Sequence, residues 1–388
     1  MFEMELGENR TCDGVTRRDF LSVTRRILLM CVAVIILSLA TPELLRAEEN
    51  PYLTALRRAA NRIVSYQQTD GAITMGGGTQ VNPYFSSHAA IGLAHAYKVT
   101  KDKRYSLAIR NWLSWYTKHI NEDGTIDNFD NASGQWQPYL NPKTSSYFDS
   151  TDAYAATFME ALSEAILIGG DAKWRKQMLK FVPKIFGAMR LTMQKKYGLT
   201  CATPNYPVMY TMDNIEVYRG GYSAAVISGL GTTDGKKRLG QANATLTAIQ
   251  RLLREQSNVF YLIGIQTDGY QFTATKTMDN WYSEQMAQLM PIAWLPADSR
   301  HQTLYNEMKS QYFDSLPPNA GETDQSWQIR EDNLGKLLFW TMATENIGDK
   351  TATTALLDRL IDFDSRMGAF YNVAFYGHLC RVFAYALK

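Results

Sequence analysis

Cysteine and histidine are scarce in this chain, and neither sign of charge predominates. Only 4 of the 388 residues are cysteine and 5 are histidine, while 40 basic and 38 acidic residues leave a net charge of +2. So few cysteines exclude a disulfide-built scaffold and a zinc module with several cysteine ligands. The near balance of charge argues against nucleic acid as a partner. His88 and His95 share a helix face, but no third ligand follows at metal spacing, so we predict no metal site and no cofactor.

Nucleotide-binding and serine-hydrolase motifs are also missing. The chain has no Walker loop, no dinucleotide fingerprint and no Gly-x-Ser-x-Gly elbow. Apolar residues make up 45% of the chain and aromatic residues 12%, which excludes intrinsic disorder as its overall state. Aromatic side chains serve both in cores and in sugar-binding clefts, so composition alone does not choose between these uses.

The N-terminus has the features of an export signal. A twin-arginine motif, TRRDFL at residues 16–21, and a second arginine pair at 25–26 precede an apolar run at 27–40, and the small residue Ala47 stands before two glutamates. The run is shorter than the ~20 residues that a membrane span needs. We therefore predict that residues 1–47 direct export to the periplasm or the extracellular space, and the motif indicates the twin-arginine route. The alternative is an uncleaved anchor at 27–40, which would be the chain's contact with a membrane.

From residue 48 onward the apolar spacing is helical almost throughout. Six amphipathic segments with one charged face are expected to be outer helices: 51–68, 103–120, 172–193, 236–256, 298–316 and 351–363. Six segments that alternate with them are apolar nearly all round and are expected to be inner helices: 88–99, 152–168, 214–230, 279–294, 331–346 and 372–387. Neither end carries a polar capping repeat. We therefore predict an all-α fold, a closed (α/α)6 toroid of six helical hairpins, as a single domain at 48–388.

Carboxylates recur where the inner helices begin. The candidates for catalysis are Asp149 and Asp152 at the second inner helix, Asp213 and Glu216 at the third, and Asp279 at the fourth. If the inner helices run parallel, these starts gather at one end of the barrel. Glycoside hydrolysis uses such a set, with one carboxylic acid to protonate the leaving oxygen and one carboxylate to activate water or attack the sugar. The competing interpretation is that these residues cap helix N-termini and complement the helix dipole.

Two sequence features resemble a known family. The Gln-x-Asp-Gly turns at 68–71 and 266–269 resemble the six-hairpin glycosidase superfamily, and FDSTDAYAA at 148–156 is similar to the Asp-rich signature of glycoside hydrolase family 8. The resemblance implies that Asp152 positions the sugar and that Asp279 is the catalytic base, with Asp213 as the alternative base. The family's general acid is a Glu near the first inner helix, but residues 81–88 read VNPYFSSH here. Either Asp149 or Glu216 then supplies the proton, or activity is altered or lost.

Aromatic and polar side chains fall near the same helix starts. Sugar rings stack on aromatic faces while the polar tips reach hydroxyl groups, although ordinary packing at the barrel mouth would use the same residues. The candidates for substrate binding are Tyr84, His88, Tyr147, Tyr154, Asn214, Tyr218, Asn280, Trp281 and Trp327. Cys201 and Cys380 could pair if the domain is exported.

These features predict an exported glycoside hydrolase that acts on a polysaccharide or oligosaccharide by carboxylate acid/base catalysis, with inversion at the anomeric carbon. One alternative is a carbohydrate-binding toroid without catalysis, in envelope or exopolysaccharide assembly. Another is a polysaccharide lyase on the same fold, in which Asn205 and Tyr206 with Arg219 would form the active site. The hydrolase interpretation predicts that Asp152, Asp213 and Asp279 line one cleft.

Overall fold

The computed structural model describes residues 50–140, 147–254, 259–274, 278, 280–316, 327–366 and 372–388, without the side chains of 327–330 and 363–366. The predicted export segment at 1–47 lies outside the described residues, so its role and the domain boundary after it stay predictions. Within the described part, no helix is both long enough and apolar enough to span a bilayer.

Thirteen α-helices account for most of the described chain. They are α1 (Pro51–Ser65), α2 (Pro83–Thr100), α3 (Lys103–His119), α4 (Thr151–Leu167), α5 (Ala172–Leu179), α6 (Val182–Met189), α7 (Thr211–Ser228), α8 (Thr233–Leu252), α9 (Met286–Trp294), α10 (Ser299–Tyr312), α11 (Trp327–Ile347), α12 (Lys350–Arg366) and α13 (Ala374–Ala386). A π-helical turn, Trp281–Gln285, precedes α9. The inner helices α2, α4, α7, α9, α11 and α13 each contact the next, and α13 contacts α2. The predicted (α/α)6 toroid is confirmed.

Local chemistry explains two of the differences between the predicted and the observed helix boundaries. Helix α2 begins at Pro83 because Asn82 Oδ1 accepts hydrogen bonds from the backbone N–H groups of Tyr84 and Phe85, at 3.1 and 3.2 Å. Proline suits this first position because the N–H that it lacks would have no partner there. The third outer segment is divided into α5 and α6, with Pro183 in the first turn of α6. Proline cannot donate to the preceding turn and its ring crowds it, so the helix breaks.

Two glycines allow the first and last inner helices to close the ring. A Cβ on Gly92 would lie 2.4 Å from Gly377 Cα, and a Cβ on Gly377 would lie 2.3 Å from the backbone oxygen of His88. No larger side chain fits at such a crossing without moving a backbone. The close approach brings the first turn of α13 directly against α2.

The core fills the space between the inner and outer rings. Trp112 and Trp115 of α3 are fully buried with stacked rings whose centroids are 5.3 Å apart. Helix α4 is buried on nearly every side, as predicted for an inner helix. Cys201 and Cys380 are both buried, and no disulfide joins them, so the pairing considered from the sequence does not occur.

Short antiparallel strands occupy the connections that lead from an outer to an inner helix. They are β1 (Gln80–Val81), β2 (Phe129–Asp130), β3 (Gln137–Pro138), β4 (Met193–Gln194), β5 (Leu199–Thr200), β6 (Val208–Tyr210), β7 (Gly264–Gln266) and β8 (Gln271–Phe272). They pair in the orders β1–β2–β3, β4–β5 and β6–β7–β8, and Tyr210 stands opposite Gly264 in the last sheet. The connections from inner to outer helices are much shorter. The long connections therefore build up the barrel end at which the inner helices begin.

Candidate functional site

A cleft of about 1030 Å³ opens at the barrel end where the inner helices begin. Its described lining comes from the N-terminal parts of α2, α4, α7, α11 and α13, from the π-helical turn and from the loop before β6. The acidic residues in this lining are Asp149, Asp213, Glu331 and Asp332, and no lysine or arginine is found among the described lining residues. The starts of the inner helices therefore do gather at one end, and they form an acidic cleft.

Two carboxyl groups from neighbouring inner helices meet at Ser150. Ser150 Oγ donates to Asp152 Oδ1 at 2.5 Å and lies 3.3 Å from Asp213 Oδ2. Asp152 Oδ1 also accepts from the backbone N–H of Ala153 at 2.8 Å. Asp213 is half-buried and lines the cleft, whereas Asp152 is fully buried and is not among the lining residues. Asp213 is therefore the member of the pair that a ligand can touch.

Burial raises the pKa of both carboxyl groups. For Asp213 the pKa lies well above its usual value, mainly because of burial, and the charges of Asp152 and Glu216 raise it further. Burial raises the pKa of Asp152 to about 6, while the hydrogen bonds from Ser150 and the Ala153 backbone favour its ionised form. Two like charges at this distance oppose each other's ionisation. Near neutral pH, Asp152 therefore carries the negative charge and Asp213 keeps its proton.

Glu216 lies one helical turn beyond Asp213, below the cleft surface. It is 4% exposed, and its Oε1 accepts hydrogen bonds from Tyr84 Oη at 2.7 Å and His88 Nε2 at 3.2 Å. Burial raises the pKa of Glu216 well above its usual value, and burial lowers the pKa of His88 to about 3, so His88 is a neutral imidazole near pH 7. Tyr84 and His88 line the cleft. Glu216 therefore holds these two side chains in place from beneath.

The Tyr154 hydroxyl organises the wall around Asp149. It accepts a hydrogen bond from Asn82 Nδ2 and donates one to Asn128 Oδ1, each at 3.0 Å. It also lies 3.4 Å from the backbone nitrogen and from Oδ2 of Asp149. Asp149 is exposed in the cleft, so its carboxyl group is accessible to water and to a ligand.

Histidine and aromatic rings form the floor of the cleft. The ring centroids of His88 and His378 are 4.9 Å apart, and Phe339 lies 5.5 Å from His378. The ring centroid of Trp294, the last residue of the inner helix α9, lies 5.3 Å from that of Phe339. The guanidinium groups of Arg219 and Arg381 lie over the Trp294 ring, at 4.8 and 5.2 Å from its centroid.

A buried ion pair stands close to this floor. Arg219 Nε donates to Glu160 Oε2 at 2.9 Å and Arg219 Nη2 donates to Oε1, while Arg381 Nη1 lies 3.9 Å from Oε1. Burial acts to raise the pKa of Glu160, but the two arginines outweigh it and lower that pKa to about 2. Arg219 is thus paired with Glu160 and is not among the described lining residues, which contradicts its place in the lyase active site considered from the sequence.

Tyrosines form another part of the cleft wall. Tyr206 and Tyr210 stack with ring centroids 6.2 Å apart, and their hydroxyl oxygens are 3.1 Å apart. Tyr282, from the π-helical turn, is 67% exposed and lines the same cleft. Exposed aromatic faces inside a cleft are typical of surfaces that bind a ligand.

The predicted site residues divide into four groups. Those that line the cleft are Tyr84, His88, Asp149, Tyr154, Asp213 and Trp281. Asp152 and Glu216 are buried behind this lining, so the prediction that Asp152 lines the cleft is wrong: its carboxyl group turns toward Ser150 and the first turn of α4. Asp279 and the side chain of Trp327 lie outside the described residues.

Four further predicted contact residues are placed elsewhere. Asn214 is fully buried, and its Nδ2 donates to the backbone oxygens of Thr200 at 3.0 Å and Tyr210 at 2.9 Å, so it anchors strands to α7. Tyr218 is buried along α7, while Tyr147 and Asn280 are exposed, and none of the three is among the described lining residues. Successive residues on a helix point about 100° apart. Because Asp213 faces the cleft, its neighbour Asn214 faces the barrel wall.

Asn82, Tyr282 and His378 are among the residues of the cleft that sequence reasoning missed. The Asn-Pro pair at 82–83 is a helix-start signal that would have moved the first inner helix toward the cleft. No sequence signal marked Tyr282. In a regular helix its side chain would point about 100° away from that of Trp281. Here the helix begins with a π-helical turn, and both side chains line the cleft. His378 could have been proposed as a polar residue on an inner helix.

Metal ligands do not cluster in this molecule as far as it is described. Among the described residues, no group of three or more His, Cys, Asp or Glu side chains could hold a metal ion.

No protein family model and no curated protein matches the sequence. Solved structures do match it in shape. A GH63 mannosylglycerate hydrolase from Thermus thermophilus superposes with a TM-score of 0.58 at 10% identity, over 84% of this chain and 99% of that one. The chain therefore has the same (α/α)6 toroid fold as this hydrolase. A reducing-end-xylose releasing exo-oligoxylanase (TM-score 0.57, 12% identity, 88% and 95% coverage) and a D-mannose isomerase (0.56, 11%, 86% and 97%) share it. At these sequence identities the structural similarity establishes the fold. The reaction has to be inferred from the residues of the site.

Proposed function

We propose that this protein is an exported glycoside hydrolase that cleaves a polysaccharide or oligosaccharide by carboxylate acid/base catalysis. The observation that carries the proposal is Asp213, a carboxyl group in an open cleft whose pKa is raised by burial and by the charges of Asp152 and Glu216. A carboxylic acid that keeps its proton near neutral pH can protonate the oxygen of a departing sugar. Hydrolases of glycosidic bonds among the proteins of the same fold support the proposal.

In the proposed reaction, Asp213 donates its proton to the glycosidic oxygen as the bond from that oxygen to the anomeric carbon breaks. A water molecule attacks the same carbon from the opposite face and gives its proton to a base, which inverts the configuration. Asp149 is our candidate for the base, because it is exposed in the same cleft and accessible to water. Asp279, the base that the resemblance implies, is the alternative. The role of Asp152 is to keep the proton on Asp213.

The acidic lining favours hydrolysis over the lyase alternative. A uronate lyase must neutralise the substrate carboxylate, but no lysine or arginine is among the described lining residues, and Arg219 is paired with Glu160. A carbohydrate-binding protein without catalysis is the second candidate, because residues 81–88 lack the acid that family 8 enzymes have there.

A substrate screen tests these candidates against one another. The purified chain from residue 48 would be incubated with β-glucan, xylan, chitosan, α-mannan and polyuronate, and both new reducing ends and ultraviolet absorbance would be followed. We expect reducing ends without absorbance, and an inverted anomer as the first product by proton NMR. Absorbing products would indicate a lyase instead, and binding without any new reducing end would indicate the non-catalytic protein.

Matched variants then test the role of Asp213. We expect Asp213→Asn to lower kcat by about 10²- to 10⁴-fold, the contribution typical of a general acid. Asp234→Asn is the control, because Asp234 is an exposed acid in the first turn of the outer helix α8. Equal activity of the two variants would refute the assignment.

The export part of the proposal rests on the sequence at residues 16–47. Replacement of Arg17 and Arg18 by lysine is expected to leave the full-length chain in the cytoplasm, if the twin-arginine route is used. A chain that stays with the membrane fraction and keeps residues 27–40 would support the anchored alternative.

A further inference from the structure

His378 stands at the floor of the cleft without a hydrogen-bond partner among the described residues. It lies near the start of α13, lines the cleft and is 5% exposed. Its Nδ1 is fully buried and has no partner, and no described residue forms a hydrogen bond with Nε2. Buried polar side chains are almost always hydrogen-bonded. A side chain that departs from this rule while lining a cleft points to a partner that comes with the ligand.

The surroundings of His378 determine the protonation state of its ring. Burial lowers the pKa of His378 well below its usual value, and the neighbouring His88 and the two guanidinium groups of Arg219 and Arg381 act in the same direction. The ring is therefore a neutral imidazole, with one N–H donor and one acceptor nitrogen.

Packing selects which nitrogen carries the proton. The His378 ring packs against the rings of His88, Trp294 and Phe339, and its buried Nδ1 makes no hydrogen bond to any of them. A buried N–H without an acceptor is rarer than a buried acceptor without a donor, so the proton belongs on Nε2, the nitrogen that is not fully buried. His88 follows the same pattern, with Nε2 on Glu216 and a buried Nδ1 that has no partner.

We propose that His378 is a substrate-binding residue whose Nε2–H donates a hydrogen bond to a hydroxyl or ring oxygen of the sugar unit on the cleft floor. The inference rests on the proposed function in one respect only, namely that the ligand of this cleft is a glycan. The hydrogen bond is made to an uncharged oxygen, so it suits a sugar ring and adds no preference for an anionic substrate.

The first experiment observes His378 directly. The chain has only 5 histidines, all after residue 48, so selective labelling with ¹⁵N-histidine gives few imidazole signals, provided that no histidine tag is used. We expect His378 to show the neutral Nε2–H tautomer. Its Nε2 signal should shift when a hexasaccharide of β-linked glucose, xylose or glucosamine, or of mannose, is added to the Asp213→Asn variant, in which turnover is suppressed.

The second experiment measures affinity for the same hexasaccharides by calorimetry. In the Asp213→Asn background we expect His378→Phe, which keeps a ring against Trp294 and Phe339, to weaken binding about tenfold, the loss of one hydrogen bond. His378→Gln, which keeps an N–H donor, should recover part of this loss. His119→Phe is the control, because His119 lies on the outer helix α3 and stacks on Trp115.

The outcomes separate this inference from the proposed function. If a hexasaccharide binds while the His378 signal stays fixed and His378→Phe retains its affinity, the inference is wrong, even if the wild-type chain hydrolyses that glycan. If binding depends on His378 but the wild-type chain never cleaves, the inference holds and the hydrolase proposal fails. Failure of all four hexasaccharides to bind would overturn both.

Discussion

The Asp152→Asn variant tests how the fold keeps a proton on Asp213. Ser150 Oγ lies 2.5 Å from Asp152 Oδ1 and 3.3 Å from Asp213 Oδ2, so these two carboxyl oxygens are at most 5.8 Å apart. At this distance and an effective dielectric constant of about 20, one unit charge contributes about 3 kcal/mol, or about two pKa units. Asparagine can accept the same bonds from Ser150 and the Ala153 backbone through its oxygen, and Asp152 Oδ2 has no partner to lose. The variant should therefore fold while the pKa of Asp213 falls by about two units.

The assay is the pH dependence of kcat/KM, whose alkaline limb reports loss of the proton from the general acid. Activity needs protonated Asp213, so it is lost as pH rises through the pKa of that group. A lower pKa moves the alkaline limb of Asp152→Asn to lower pH by about two units. Asp234→Asn should leave the limb where it is. An active Asp152→Asn variant with an unshifted alkaline limb would refute the proposed coupling between the two carboxyl groups.

Three stability predictions follow from the same interior. Glu160→Gln leaves the half-buried guanidinium group of Arg219 without a carboxylate and should lower the free energy of unfolding by about 1–3 kcal/mol in urea titrations. Gly377→Ala crowds the α2–α13 crossing and should cost at least about 1–3 kcal/mol, whereas Gly240→Ala, with nothing within 4 Å of the added Cβ, should be neutral or stabilising. Burial raises the pKa of Glu345 from 4.5 to about 8. The unfolded chain therefore loses this proton at lower pH than the folded chain, and stability is lost as pH rises between these two values. We expect Glu345→Gln to raise Tm near pH 8 but not near pH 4.5.

Helix periodicity was sufficient to predict the hairpins. An outer helix has one apolar face, whereas an inner helix is apolar on nearly all of its faces, and the sequence shows this difference. The start of α2 is also visible in the sequence, because Asn82 and Pro83 form a helix-start signal. The break between α5 and α6 is of the same kind, since Pro183 is visible in the sequence. Both boundaries are therefore determined by the local sequence.

The depth of each side chain in the site could not be predicted in the same way. Asp213 and Glu216 share a face of α7, but three residues along the helix move a side chain about 4.5 Å down the barrel axis, from the cleft to the layer beneath it. Whether that layer is open or closed depends on Tyr84 and His88, which arrive from α2. Asp152 is buried by Ser150 and the first turn of its own helix. Such placement depends on contacts between helices distant in sequence.

The most direct test of the account is hydrolysis in water enriched in the heavy oxygen isotope, with mass spectrometry of the products. If Asp213 protonates the glycosidic oxygen and water attacks the anomeric carbon, each new reducing end carries one heavy oxygen. The label should appear at the wild-type rate with Asp234→Asn and almost disappear with Asp213→Asn. Products that form without the label, or label incorporated equally fast by Asp213→Asn, would contradict the account.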